Sequence, residues 1–244
     1  IMSKGSTADE TMRFRARGCI LGVFIGDALG AGVEGWPADE IEKFASERWQ
    51  SPLVEDFFPA VHMATHVSAG EPGQYRVARW MEDVGFRAVP VGPPRNEAVA
   101  KQCAREGCYT DDTLASLALA ASLVEHGRID ANAAASSYGD FFRDATPFRG
   151  CPPTAAKVMQ LVSEGVPIEE TGLPPHFPFP GGSFANGAAM RIAPLAIAYR
   201  NADAEQLRNA VEAATISSHR HPEAVDFAVV QAMCVQNMLR HKGD

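Results

Sequence analysis

The chain has 244 residues, 46% hydrophobic and 21% charged, a globular balance that can bury one large domain or two small ones. With 30 acids against 22 Lys and Arg its formal charge is −8; no basic block offsets this, which excludes a dedicated nucleic-acid backbone binder but not a nucleotide-like small ligand that needs only local donors. Five scattered cysteines, Cys19, Cys103, Cys108, Cys151 and Cys234, form no C-x-x-C pair, so they read as reduced thiols of a cytoplasmic, reducing compartment and not as a disulfide frame or zinc knuckle.

Met12 to about Val33 predicts the first helix. Its apolar run, Cys19 to Ile25, is too short to span a bilayer, and Asp27 interrupts the residues beyond it, so no membrane association is expected. Arg13, Arg15 and Arg17 precede that run without the small-residue cleavage pattern of a signal peptide. Gly18, Gly22, Gly26 and Gly30 recur every fourth residue and would share one face. Each costs about 1 kcal/mol against alanine in a helix interior. The stripe therefore predicts close approach, of another helix backbone in the simpler case and of a ligand in the other. Asp27 and Glu34 lie seven apart, on one face if the helix continues, and a carboxylate in so apolar a stretch must be paired or ligating. Gly35 and Pro37 end the pattern.

Glu40 to Arg48 predicts a short helix. From Trp49 to Arg95 prolines, glycines and isolated aromatics alternate, with β-prone pieces at Tyr75 to Val77 and Phe86 to Val91. Structureless loops of this length are uncommon in a compact domain, so the stretch is read as an insertion with local structure of its own. His62 and His66 stand there at i, i+4. They lack the adjacent Glu of a zinc-protease helix and are read as surface residues.

Tyr109-Thr110-Asp111-Asp112-Thr113 comes directly before an apolar run, Leu114 to Val124. Thr110 sits at a helix N-cap, and the acids fall in the first turn, where the positive end of the dipole favours them. One cap suffices for that purpose, yet four oxygen-bearing side chains stand in a row. Hard cations such as Mg²⁺ want clustered oxygens, so a metal site is the second reading. This helix should end at Gly127. Asp130 caps a helix from Ala131 to Phe142, and Pro153 starts another that runs to Glu164. Val166 to Gly182 is rich in proline and reads as a connector. Beyond the glycine-rich loop Gly181 to Gly187 an apolar helix is expected to run to Tyr199 with Pro194 inside it. Asp203 caps a helix to about Ile216, and His221-Pro222 opens the last, to about Leu239. Many helices and little strand make the class all-α. A glycine-rich turn entering a helix offers N–H groups at a positive dipole end, a natural diphosphate cradle; the alternative is a flexible turn with an Asn cap. Arg191 either pairs with an acid or reaches an anion. In Ser217-Ser218-His219-Arg220-His221-Pro222-Glu223, His219 either donates to a ligand or is structural, and His221 caps the final helix.

Taken in order, Gly18 to Gly30 with Glu34, Tyr109 to Thr113, Gly182-Ser183-Phe184-Ala185-Asn186-Gly187-Ala188-Ala189-Met190-Arg191, and Ser218-His219 before His221-Pro222-Glu223 resemble the ADP-ribosylglycohydrolases. That family includes the dinitrogenase reductase-activating glycohydrolases. The resemblance covers about Arg13 to the end apart from the insertion at 49–95, one domain over residues 12–244. It implies an all-α orthogonal bundle around a binuclear centre of two Mg²⁺ ions, a monomer, and hydrolysis of the glycosidic bond that joins ADP-ribose to a protein side chain, a polymer or an O-acetyl group. It implies Thr110, Asp111 and Asp112 as metal ligands and Glu34 as the acid/base. Ser183, Phe184, Asn186 and Gly187 would hold the diphosphate and distal ribose, His219 would lie close to the diphosphate, and Asp27 would stand behind the ligands. The loop is more similar to that of the branch acting on serine-linked, polymeric or O-acetyl ADP-ribose than to that of the arginine-linked branch.

The family completes its metal centre with a C-terminal Asp-x-Asp-Thr segment, and after His219 the acids here are Glu223, Asp226 and Asp244, in no such pattern. The expectation is that the C-terminal part of the pattern lies outside this sequence, and that the chain alone exposes apolar surface. The alternative is a catalytically inactive ADP-ribose-binding module, or a structural protein reusing the fold.

Overall fold

Every regular element among the described residues is a helix, as the hydrophobic spacing predicts. The computed structural model describes residues 6–34, 37–57, 106–144, 149, 151, 153–177 and 179–241. The insertion at 49–95 beyond residue 57, His62, His66 and Cys103 lie outside them. In chain order the helices are α1 (Ser6–Gly30), α2 (Ala38–Trp49), α3 (Asp111–His126), α4 (Ala131–Asp144), α5 (Pro153–Ser163), α6 (Ile168–Thr171), a 3₁₀ turn (Asn186–Ala188), α7 (Ala193–Ala198), α8 (Ala204–Thr215) and α9 (Pro222–Arg240). The chain divides into two compact units. One comprises Ile1–Val23, Asp112–Ala145 and Thr154–Asp244, the other Phe24–Asp111 and Thr146–Pro153.

Local signals set the helix ends. Asp203 caps α8 and exchanges hydrogen bonds with Gln206 in a full capping box. Asp130 Oδ1 accepts from Ala133 N at 2.9 Å at the start of α4, and His221 accepts from Glu223 N ahead of Pro222 in α9. After His126 the chain turns at Gly127, whose N–H closes the last turn on Leu123 O. Two expectations fail. The apolar helix expected from Gly187 to Tyr199 is broken into the 3₁₀ turn and α7, because Pro194 has no N–H to give to an earlier carbonyl and so takes a place in the first turn of α7. Within the proline-rich connector the short α6 forms, started behind Pro167.

The larger unit has one main core. Leu119 of α3, Tyr138 of α4, Val158 of α5, Ile192, Leu195 of α7, Leu207 and Val211 of α8 and Val229 of α9 are all buried in it. Two polar groups facing this core are taken up: the Tyr138 hydroxyl donates to Ala214 O at 3.1 Å, and Gln236 Nε2 of α9 donates to Tyr199 O, at the end of α7, at 2.6 Å. Arg15 of α1 reaches Leu239 O at 3.1 Å and also His241 O. A groove of about 500 Å³ lies there, lined by Arg15, Cys19, Cys234 and Met238 among others. Apolar side chains do stand in solvent, Phe14, Leu21 and Ile25 on α1 and Phe227, Val230, Met233 and Met238 on α9. The close approach expected of the glycine stripe has no counterpart among the described residues, where a Cβ on Gly18, Gly22, Gly26 or Gly30 would meet nothing within 4 Å.

The smaller unit holds the end of α1, α2 and the segment before α3. Arg149 stacks on the Tyr109 ring, its Cζ 3.7 Å from the centroid, and points Nη1 at Tyr109 O at 3.5 Å. In α2 the Phe44 and Trp49 rings meet edge to face at 5.7 Å. No helix among the described residues is long and apolar enough to cross a membrane.

Two positions in α3 test this core. Leu119 is fully buried whereas Val124 is 85% exposed. Leu119→Ala is expected to cost about 2–5 kcal/mol in urea unfolding, and Val124→Ala to stay within about 0.5 kcal/mol.

Candidate functional site

The segment before α3 is tied down by Asp27. Its Oδ2 accepts the Thr110 backbone N–H at 2.9 Å and its Oδ1 accepts the Thr110 hydroxyl proton at 2.7 Å. A carboxylate in the apolar second half of α1 thereby gains two donors, which offsets its desolvation. Thr110 is buried, while Asp111 and Asp112 are half-buried in the first turn of α3. The hydroxyl proton goes to Asp27, so Thr110 Oγ1 meets any further partner as an acceptor only. Asp27, Thr110 and Asp111 belong to the smaller unit, and Asp112 begins a stretch of the larger one. Glu34 is exposed, in the turn after α1.

The donors at 110–112 are all oxygen, the kind that suits a hard divalent cation. Their number is smaller than the expectation required. Among the described residues no group of three or more His, Cys, Asp or Glu side chains is gathered to hold a metal ion. Three oxygen donors are fewer than one six-coordinate ion takes, so water would have to complete its shell, and none is left for a second ion.

The second constellation lies wholly in the larger unit. Residues 181–191 run against the loop after α8. Gly182 has φ +85°, and a Cβ there would stand 3.1 Å from Arg220 Cβ and 3.2 Å from Gly172 O, so both conformation and space require glycine. At Gly187 the fit is closer. A Cβ would lie 2.6 Å from both Cε1 and Nε2 of His219. The ring occupies the volume that any other residue at 187 would fill.

His219 is held from below. Its N–H and that of Ser218 close on Thr215 O at 2.8 and 3.0 Å, and Thr171 Oγ1 donates to Ser217 O at 2.6 Å. Arg191, 3% exposed, donates from Nη2 to Ser218 Oγ at 2.7 Å. Its guanidinium lies over the Tyr138 ring, 4.2 Å from the centroid. Burial, and secondarily the Arg191 charge, push the His219 pKa down from 6.5 to about 3, so the ring is neutral.

The five residues expected to meet substrate all stand in this region, and two of them, Gly187 and His219, are in contact. Ser183 is buried, with Oγ accepting from Ala185 N at 3.3 Å. Phe184 joins a run of rings, 5.1 Å from Phe179 and 5.7 Å from His221. Gly187 and His219 touch as described. Asn186 is exposed and opens the 3₁₀ turn, its carbonyl accepting from Ala189 N and Met190 N. The loop enters a three-residue 3₁₀ turn and not a long helix, so the helix dipole on which the expected cradle relied is not there. Of the two partners considered for Arg191, an acid is absent among the described residues; it meets Ser218 and an aromatic face.

The family profile described as ADP-ribosylglycohydrolase matches residues 8–244. The chain belongs to the ADP-ribosylglycohydrolase family. It is similar to the ADP-ribosylhydrolase ARH3 of Gallus gallus, 23% identical over 93% of this chain and 50% of that protein. Its similarity to the uncharacterized protein YegU of Escherichia coli strain K12 is 25% identity over 92% of this chain and 54% of that protein. The chain thus spans about half the length of the curated relatives it matches. A solved ADP-ribosylglycohydrolase-related protein complex shares the fold, with a TM-score of 0.54 and 22% identity over 96% of this chain and 59% of that one.

Three contacts at these sites escape sequence reading: Asp27 to Thr110, Arg149 to Tyr109 and Arg191 to Ser218. Each joins residues far apart in the chain, and only the oddity of a charge in apolar company flagged Asp27.

The neutral His219 gives a pH dependence with a definite sign. The unfolded chain takes up a proton near pH 6.5 and the folded one resists until about 3. The group's contribution to stability is whole above pH 6.5 and is lost as pH falls through that window. Urea midpoints of the wild type should therefore fall more steeply between those pH values than midpoints of His219→Gln, which cannot titrate there.

Proposed function

We propose that this chain acts on ADP-ribose linkages as a hydrolase, releasing ADP-ribose from a modified acceptor. The observation that carries the reading is Thr110, fixed through both its backbone N–H and its hydroxyl by Asp27, immediately before two half-buried first-turn carboxylates. Helix capping alone does not call for that arrangement. Family membership over residues 8–244 gives it a reaction.

In this reading Thr110, Asp111 and Asp112 hold Mg²⁺. When bound, the ion supplies a Lewis acid for ribose hydroxyls and for activation of the hydrolytic water. Asp27 keeps Thr110 oriented as an acceptor. Glu34, exposed in the turn after α1, protonates the leaving group or takes a proton from water at its Oε atoms. The bond breaks through an oxocarbenium-like state at the anomeric carbon, so neighbouring carboxylates also stabilise developing positive charge. Ser183, Phe184, Asn186 and Gly187 bind the distal ribose and the diphosphate, and His219 donates to a diphosphate oxygen. Binding far from the bond that breaks then orients the reacting carbon. The acceptor is a serine-linked, polymeric or O-acetyl group, and the setting is cytoplasmic.

A second reading is favoured by the donor count. A protein with one incomplete cation site and an intact loop around His219 would bind ADP-ribose without turnover. Incubation with serine-linked and arginine-linked ADP-ribosylated peptides, with Mg²⁺ and with chelator, separates the two. Hydrolysis of the serine-linked peptide, abolished by chelator and by Asp111→Ala or Asp112→Ala, is expected. Tight ADP-ribose binding with no release from either peptide selects the binding module. Unchanged rates in both variants would remove residues 110–112 from the mechanism.

A further inference from the structure

We infer that Arg191, acting through the Ser218 hydroxyl, is a positioning residue that holds His219 in the tautomer with its proton on Nε2, so that the edge against Gly187 is a fixed N–H donor. A guanidinium has only donors. Arg191 Nη2 lies 2.7 Å from Ser218 Oγ, so the oxygen accepts there. The same oxygen lies 2.9 Å from His219 Nδ1.

Ser218 is 3% exposed, and its own hydroxyl proton needs an acceptor. Among the described residues Nδ1 is the one acceptor in reach. The hydroxyl therefore donates to Nδ1, and Nδ1 carries no proton. In the opposite arrangement two donors would converge on Oγ while its own proton pointed at nothing, and a buried donor without a partner is costly. A doubly protonated ring is opposed by burial and by the Arg191 charge. The neutral ring is left with its proton on Nε2.

Geometry makes arginine the right residue. The Tyr138 ring, itself anchored by its hydroxyl on Ala214 O at 3.1 Å, supports the flat face of the guanidinium. A planar fork pressed on a ring has one orientation, whereas a lysine ammonium would be a rotating point charge. Arg191 Nε has no hydrogen-bond partner among the described residues, so Nη2 to Ser218 is the polar link that the burial of this side chain preserves. Nε2 of His219 is the ring nitrogen beside Gly187, and among the described residues the His219 ring bonds through Nδ1 alone. A permanent donor there suits an anionic oxygen, which rests on the reading that this loop receives the diphosphate.

The test is long-range proton–nitrogen NMR on the full chain with isotope-labelled histidine, with and without ADP-ribose. The wild type is expected to show His219 with Nε2 protonated and Nδ1 bare. Ser218→Ala should release the tautomer, giving a mixture with an Nδ1–H population, and should weaken ADP-ribose binding on the order of tenfold. Ser218→Thr keeps the hydroxyl and should restore both. A proton on Nδ1 in the wild type, or an unmixed Nε2–H signal in Ser218→Ala, overturns the relay. If the tautomer responds to Ser218→Ala as expected but ADP-ribose leaves the His219 signals unmoved, the relay stands and the diphosphate assignment falls.

Discussion

The larger unit is organised around a contact that only the absence of side chains permits. The chain at 182 and 187 lies so close to the loop after α8 that a Cβ at either glycine would collide with Arg220 or His219. That approach fixes where His219 stands. The fixed ring in turn needs Ser218 beside it, Arg191 beneath Ser218 and Tyr138 beneath Arg191. A buried guanidinium without a carboxylate is expensive, and a hydrogen bond and an aromatic face offset part of that cost. Conformational entropy is limited too, because the loop is closed by its own backbone bonds and by Thr171.

The smaller unit relies on a different device. Asp27, late in α1, accepts two hydrogen bonds from one residue, and both of its oxygens are used. This registers the residue before α3. Charge-assisted bonds are short and directional, so Thr110 is oriented as well as anchored. Arg149 adds a flat cover on Tyr109 one residue earlier. The result is a stiff approach to two acidic side chains, which suits a site that must hold oxygens at set spacing.

The range of each interaction decides how much of it the sequence could reveal. Helix ends were readable because their causes are local: Asp203 with Gln206, Asp130 with Ala133, Pro222 behind His221. The helix expected through Pro194 failed for a reason also local, the missing N–H, which outweighed an apolar pattern that looked continuous. The spacing of the glycine stripe in α1 shows that a face is smooth and not what lies against it, and among the described residues nothing does. At the candidate sites, the order of motifs nominated the residues, while their partners stayed hidden. Nothing around Arg191 distinguishes an arginine that meets an acid from one that meets a serine 27 residues on.

The account of the larger unit depends most on Gly187 and His219 forming one surface for a diphosphate. A crystal structure of the chain with ADP-ribose examines that directly. The predicted result is a diphosphate oxygen within hydrogen-bond distance of His219 Nε2, with the loop at 182–187 around it. ADP-ribose bound elsewhere, with His219 bonded to the protein alone, would contradict it.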